Sequence, residues 1–214
     1  MKRLACNKLL WGLGLLLLHA GTPLPAGAQE PELQFYGEPV DLKLTPAQKQ
    51  TFILSISQKI KDLENYIMQI SNKEIPLEDR LEMINSVVKL FANENSIIQV
   101  ANALTGKVDQ FTVRQYFNRL ATIKASRVDI TFYEAVRLEK VRRGTDGYYY
   151  GAATIFQDTK IYRDPEGMDV YQDKTVKQVT FKSKREFARV GDQQREVMET
   201  LLESIKVKET KQTY

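Results

Sequence analysis

The sequence carries one histidine, His19, and one cysteine, Cys6, and both lie within its first 28 residues. Beyond Ala28, no Ser-His-Asp or Cys-His nucleophile can be assembled. Zinc with its usual nitrogen and sulfur ligands is excluded there on the same ground, which leaves only oxygen ligands for a metal. Asp164, Glu166 and Asp169 gather around Gly167, but without the alternating acidic spacing of a calcium loop. They read as a solvated loop. No glycine-rich phosphate loop occurs either. Motifs therefore assign no catalytic residue, no cofactor and no metal.

Aromatic residues are the stronger signal. Tyr148-Tyr149-Tyr150-Gly151 opens a stretch with the composition of a strand. Alternation sends Tyr148 and Tyr150 to one face of a sheet and Tyr149 to the other. At least one tyrosine is thus expected outside a covered core. Tyr162, Arg163 and Tyr171 would extend it into an exposed patch of the kind that meets a partner. Arg142, Arg143, Lys160 and Arg163 border the patch, as in a platform that stacks single-stranded nucleic acid. Overall charge argues against that use.

The formal charge of +4 over 214 residues belongs mostly to the first segment. Lys2, Arg3 and Lys8 precede an apolar run from Leu9 to Leu18, and Ala26-Gly27-Ala28 offers a small-residue cleavage site. This pattern predicts a cleaved signal peptide over 1–28. The run is shorter than the ~20 residues a membrane-spanning helix needs. Cys6 precedes the run instead of following it, which argues against a lipoprotein. Cleavage would take the 31 basic residues to 28, against 27 acidic. That near balance gives nucleic acid no electrostatic footprint. The expectation is an exported protein, periplasmic before extracellular or surface-associated, with no transmembrane segment after processing.

Those tyrosines need elements to hold them. Residues 29–43 read as an extended arm and 44–210 as one domain. Thr45 and Gln48 form a T-x-x-Q cap, with Ile53, Ile56, Ile60, Leu63, Ile67 and Ile70 on one face of the helix behind it. Pro76 opens a second helix with the expected face Leu77, Leu81, Ile84, Val88 and Phe91. Ile97, Ile98 and Val100 make a short strand, and Gly106 sits in a turn. Thr112 and Gln115 cap a third helix with Val113, Tyr116, Phe117, Leu120 and Ile123 buried. Strands follow over about 127–140, with a bulge near Tyr133, then 148–162 and 170–181. Residues 182–194 read as a polar loop and about 202–209 as a closing strand.

Helices first and strands last give an α+β domain. The order resembles the NTF2-like family, in which helices close one face of a curved sheet into a cone. It is similar to exported NTF2-like proteins of Gram-negative envelopes. The resemblance rests on Arg114-Gln115-Tyr116-Phe117-Asn118-Arg119-Leu120, Asp146-Gly147-Tyr148-Tyr149, Phe156-Gln157 and Tyr171-Gln172-Asp173-Lys174-Thr175-Val176-Lys177, and covers roughly 76–207. It implies three N-terminal helices on a curved antiparallel sheet of four to six strands. NTF2-like enzymes work with carboxylates and tyrosines inside the cone, where burial raises a carboxyl pKa. Asp129, Glu134, Asp158 and Asp173 would be the carboxylates here, with Tyr116, Tyr133, Tyr150 and Tyr171 as donors. Tyr116, Tyr133, Asp158 and Asp173 are the pocket candidates if the protein is an enzyme. Asp129 shares the polar parity of its strand. No family catalytic motif maps onto these positions, so the expected function is non-enzymatic. It is a binding or assembly module of the cell envelope, with an envelope protein or a second copy as partner. The alternative is a small-molecule binder or an isomerase- or dehydratase-type enzyme.

Overall fold

The computed structural model describes residues 40–41, 43–162, 169–190 and 193–212. The expected signal peptide, most of the arm, Arg163, and Asp164, Glu166 and Gly167 of the acidic cluster lie outside them, while Asp169 opens β6. The described elements are β1 (Val40–Asp41), α1 (Pro46–Ser71), α2 (Leu77–Val88), β2 (Ile97–Ala101), β3 (Val108–Thr112), α3 (Val113–Ala121), β4 (Arg127–Arg143), β5 (Tyr149–Tyr162), β6 (Asp169–Val190) and β7 (Gln193–Gln212). The architecture is α+β.

One seven-stranded sheet runs in the order β1-β4-β5-β6-β7-β2-β3. That exceeds the expected four to six strands. The sheet is also mixed, because β7 returns alongside β2 in parallel, pairing Ile97 with Ser204 and Ile98 with Ile205. Beyond Ile98 the parallel backbone pairing stops, and the Gln99 side chain accepts from the Val207 N–H at 2.9 Å. A side chain thus satisfies a part-buried backbone donor where the ladder ends.

α1 begins on the expected capping box. Thr45 accepts from the Gln48 N–H, and Gln48 Oε1 accepts from the Thr45 N–H at 2.9 Å. Ile56, Ile60, Leu63, Ile67 and Ile70 are buried, joined by Phe52, while Ile53 is only partly so. This face lies against β4 and β7. It meets Val128, Ile130, Ala153, Ile155, Val179, Phe181, Leu202 and Ile205 in one core. Near the N-terminal half of α1, Ser55, Thr200 and Ser183 form a chain of hydroxyls at 2.7 and 2.8 Å. That chain lets polar side chains be buried at no lost hydrogen bond.

α2 departs from the expected face. Leu77 is 46 % exposed and Leu81 also faces solvent, whereas Arg80, Ile84 and Val87 are buried. Arg80 turns the helix. Its guanidinium donates to the carbonyls of Ile75 (2.9 Å), Ala121 (2.5 Å) and Ile70 (3.5 Å). Ile70 and Ala121 lie at the C-terminal ends of α1 and α3, where carbonyls have no partner inside their own helices, and Ile75 lies in the segment just before α2. α2 packs on α1 and α3 and reaches the sheet through Phe91, which bridges to Leu202.

The β2–β3 hairpin holds a strand that the sequence reading did not anticipate. Asn102 Oδ1 accepts from the Leu104 and Thr105 N–H groups, and Gly106 takes φ +69°. β3 then ends on Thr112, which is also the N-cap of α3, in a second capping box. Because Thr112 serves two elements, Thr112→Ala should lower the unfolding free energy by about 1 kcal/mol. Urea denaturation would show this as a lower midpoint at unchanged slope.

The largest correction concerns residues 182–194. Residues 182–190 and 193–194 are strand, since β6 runs to Val190 and β7 starts at Gln193. β5 pairs with β6 only as far as Tyr149 opposite Ser183, so beyond that point β6 and β7 form a two-stranded ribbon. Solvent reaches its side chains, as at Phe187 (70 % exposed). A strand that buries little apolar surface needs no apolar alternation, which is why composition suggested a loop.

Candidate functional site

The sheet sorts the candidate residues onto two faces. The helix-covered face takes Tyr149, Tyr171 and Asp173. The open face takes Tyr133, Tyr148, Tyr150 and Asp158. Tyr149 packs edge-on against Phe52 at 5.5 Å. Tyr162 is buried, with the Arg127 guanidinium 4.1 Å above its ring, and does not extend an exposed patch. Arg163 lies outside the described residues, as does the side chain of Glu134. Asp129 pairs with Arg127 at the surface at 3.1 Å, as its parity suggested.

On the open face, Tyr133, Phe156, Asp158, Lys174, Val176, Glu209 and Lys211 line a groove of about 290 Å³. Tyr133 is 45 % and Phe156 41 % exposed. The register explains their meeting, because Tyr133 sits opposite Phe156, and Phe156 opposite Val176. The expected bulge falls directly after Tyr133. The Tyr133 hydroxyl donates to Asp158 Oδ2, and that bond raises the tyrosine pKa. Asp158 Oδ1 is buried with no partner among the described residues. Farther along, Glu139 accepts from Thr154 (2.7 Å), Gln178 (2.7 Å) and Lys208 (2.6 Å). Lys208 is the largest cause of its lowered pKa. At the turn end, Tyr150 donates to Asp146 at 2.5 Å, and Lys182 and Lys184 lie 5.1 and 5.6 Å from the Tyr148 ring. This face offers aromatic and apolar contacts ringed by both signs of charge.

The helix-covered face holds a different set. Its apolar core gives way along β5 and β6 to buried Gln157, Thr159, Asp173, Thr175 and Lys177. Thr159 lies opposite Asp173, and Gln157 opposite Thr175. Gln157 donates to Thr159 at 2.7 Å, and Thr175 to Asp173 at 3.1 Å. The Tyr171 hydroxyl accepts from the Ala103 N–H at 3.0 Å, tying β6 to the β2–β3 turn. Burial, then the neighbouring Asp173, pushes the Tyr171 pKa up. Tyr116 on α3 is pushed up to about 12 by burial alone.

Lys177 is the residue the sequence reading missed. It is 6 % exposed and donates to the Gln99 carbonyl at 3.4 Å. Burial lowers its amine to about 8, against the opposing pull of Asp173. The signal was present, since Lys177 shares the inward parity of Val179 and Phe181.

The four pocket candidates therefore do not converge. Tyr133 and Asp158 meet on the open face, whereas Asp173 lies beneath the helices and Tyr116 on one of them. Among the described residues, no three His, Cys, Asp or Glu side chains gather as a metal site. Nor is any helix among them long and apolar enough to cross a membrane.

No family model matches the chain, and no curated protein does. Among solved structures, the Kfla4162 protein of Kribbella flavida is similar with a TM-score of 0.38 and 11% identity, over 75% of this chain and 92% of that one. That likeness is too slight to carry fold or function across.

Proposed function

We propose that the protein is a non-enzymatic, exported NTF2-like module of the cell envelope that binds a partner through the open face of its sheet. The groove carries this reading. Tyr133, Phe156 and Val176 expose apolar surface there, between Lys174, Lys211 and Glu209. Exposed aromatic surface rimmed by charge is what a partner's contact centre buries. Tyr133 of the tyrosine–carboxylate pair is 45 % exposed in an open groove, where proton transfer gains little from desolvation. Helices on one face only of the sheet support the NTF2-like reading, and the signal pattern of 1–28 supports export. The partner is an envelope protein or a second copy.

Phe156→Glu tests the surface, because an exposed side chain can change without unfolding the core. The protein captured by the wild-type chain from its own envelope should be recovered at least tenfold less by the variant. Equal recovery with both baits counts against the open face. Solution mass measurement distinguishes a second copy from a foreign partner.

A second reading has one observation behind it. Asp173 and Lys177 lie buried, with Tyr171 partly buried beside them, on one side of β6, which suits a small polar ligand or a proton-transfer reaction within the cone. Ligand screening by thermal shift, repeated on Asp173→Asn, separates it from the first. A stabilising ligand that Asp173→Asn abolishes would favour the cone.

A further inference from the structure

The open face carries opposite properties side by side along the β5–β6 ladder. Phe156 stands opposite Val176, and two residues on, Asp158 stands opposite Lys174. All four line the groove. β5 thus supplies an aromatic ring and an acid, and β6 a small apolar side chain and a base. Neither charge is satisfied within the chain. Tyr133 occupies Asp158 Oδ2, but Oδ1 is buried with no partner among the described residues. A buried carboxylate oxygen is costly until a donor reaches it. Lys174 is exposed and makes no ion pair among the described residues. By contrast, Lys211 is already paired with Glu209 at 2.9 Å. Farther along the same ladder, Glu139 on β4 meets Lys208 on β7 across Thr154 and Gln178.

On the reading of the open face as the partner surface, we propose that the partner is a second copy of this chain, packed face to face about a two-fold axis along the β5–β6 ladder. An isologous interface must be complementary to itself. Rotation about an axis between two neighbouring strands lays each β5 on the β6 of the other copy. Residues opposite one another in the ladder then face one another across the interface. Phe156 meets Val176 of the second copy, and Asp158 meets its Lys174, each contact being made twice. The flexible four-carbon stem of Lys174 carries its ammonium into the facing groove, where Asp158 Oδ1 accepts from it. The Glu139–Lys208 pair straddles the same axis, so it lies on its own copy with the signs reversed. Aligned sheets pack in this way about 10 Å apart, at a small angle set by their twist. Packing removes Phe156 and Tyr133 from water, and the charge pairs fix the register. A surface built for a foreign protein has no need to match itself.

The test is sedimentation equilibrium of the purified protein and two charge-reversed variants. The wild type should dimerise with a Kd of about 10 µM or tighter. Asp158→Lys sets lysine against lysine and Lys174→Asp sets aspartate against aspartate, so each should weaken the dimer about tenfold or more. An equimolar mixture of the two variants restores both acid–base pairs. It should form a dimer with one chain of each, to within about threefold of the wild-type Kd. Recovery on mixing also establishes that both variants are folded. A wild type still monomeric at about 300 µM, a dimer that neither substitution weakens, or a mixture no tighter than either variant alone overturns the proposal. A monomeric wild type whose captured envelope protein is still lost on Phe156→Glu removes the second copy and keeps the open face as a partner surface. A monomer whose capture is indifferent to Phe156→Glu removes both.

Discussion

Phe181→Ala should destabilise the protein by about 3–5 kcal/mol, at the upper end of large-to-small core substitutions. Phe181 is fully buried and its ring lies 6.2 Å from that of Phe52. Its neighbour across the ladder is Gly151, the residue that ends the tyrosine triplet. A Cβ on Gly151 would come 2.5 Å from Phe181 Cζ and 3.1 Å from the Lys140 carbonyl. The glycine is there to admit the ring. After truncation of Phe181, no side chain on Gly151 can fill the hole, so the cavity term stays large. The reverse substitution is informative too. Gly151→Ala forces a fully buried ring or the β4 backbone to move, at about 1–3 kcal/mol. The two sites share one space, so their effects must not add. Gly151→Ala combined with Phe181→Leu should cost less than the two singly. Urea midpoints at constant slope measure all three. Strict additivity would mean that the glycine and the ring are not packing partners.

Gly151 also shows what the sequence could and could not convey. Its place at the head of a strand was legible, because three tyrosines and a glycine follow a turn. The reason for the glycine was not, because Phe181 is 30 residues away in the chain. The same division runs through the fold. Local chemistry was readable: both T-x-x-Q segments became capping boxes, and the broken alternation at Tyr133 became a bulge. Each depends on atoms within four residues. Features set by partners distant in sequence were misread. Arg80 turned α2 because carbonyls near the ends of two other helices needed a donor, and no local pattern records that need. The β6–β7 ribbon buries little apolar surface among its described residues, with Phe187 exposed, so it carries no clear alternation.

The candidate site divides in the same way. Alternation correctly separated Tyr149 from Tyr148 and Tyr150. It could not foretell that Arg127 would cover Tyr162, whereas Tyr171, offered as part of an exposed patch, shares the parity of Val179 and Phe181 and turns inward to the Ala103 amide. Lys177 was passed over because a lysine reads as surface by its type, although its parity with Val179 and Phe181 places it on the inward face.

That inward lysine should give the protein an unusual alkaline profile. In the unfolded chain its amine titrates near 10.4, and in the fold at about 8. Between those values the unfolded state binds more protons than the folded one, so unfolding becomes harder as pH rises. Below about pH 8 both states are protonated, and the fold carries the full cost of a buried cation. Desolvation outweighs the attraction of Asp173, which sets this sign. By pH 9.5 the linkage relation returns about 2 kcal/mol of stability relative to pH 7. The gain cannot continue, because the tyrosines act in the opposite sense. Tyr116 is pushed up to about 12 and Tyr150 and Tyr171 are also raised, so the unfolded chain ionises its tyrosines first, near pH 10. Stability should therefore climb from pH 8, crest between about pH 9 and 10, and fall beyond. Lys177→Met removes the rising limb and leaves the falling one. Urea unfolding of both proteins at half-unit steps from pH 7 to 10.5 isolates the difference. Parallel profiles would show that the Lys177 amine is solvated in the fold. A rise confined to the wild type would place a largely neutral amine inside the domain above pH 8, beside Asp173 and Tyr171, where a buried base on the helix-covered face is able to take up a proton.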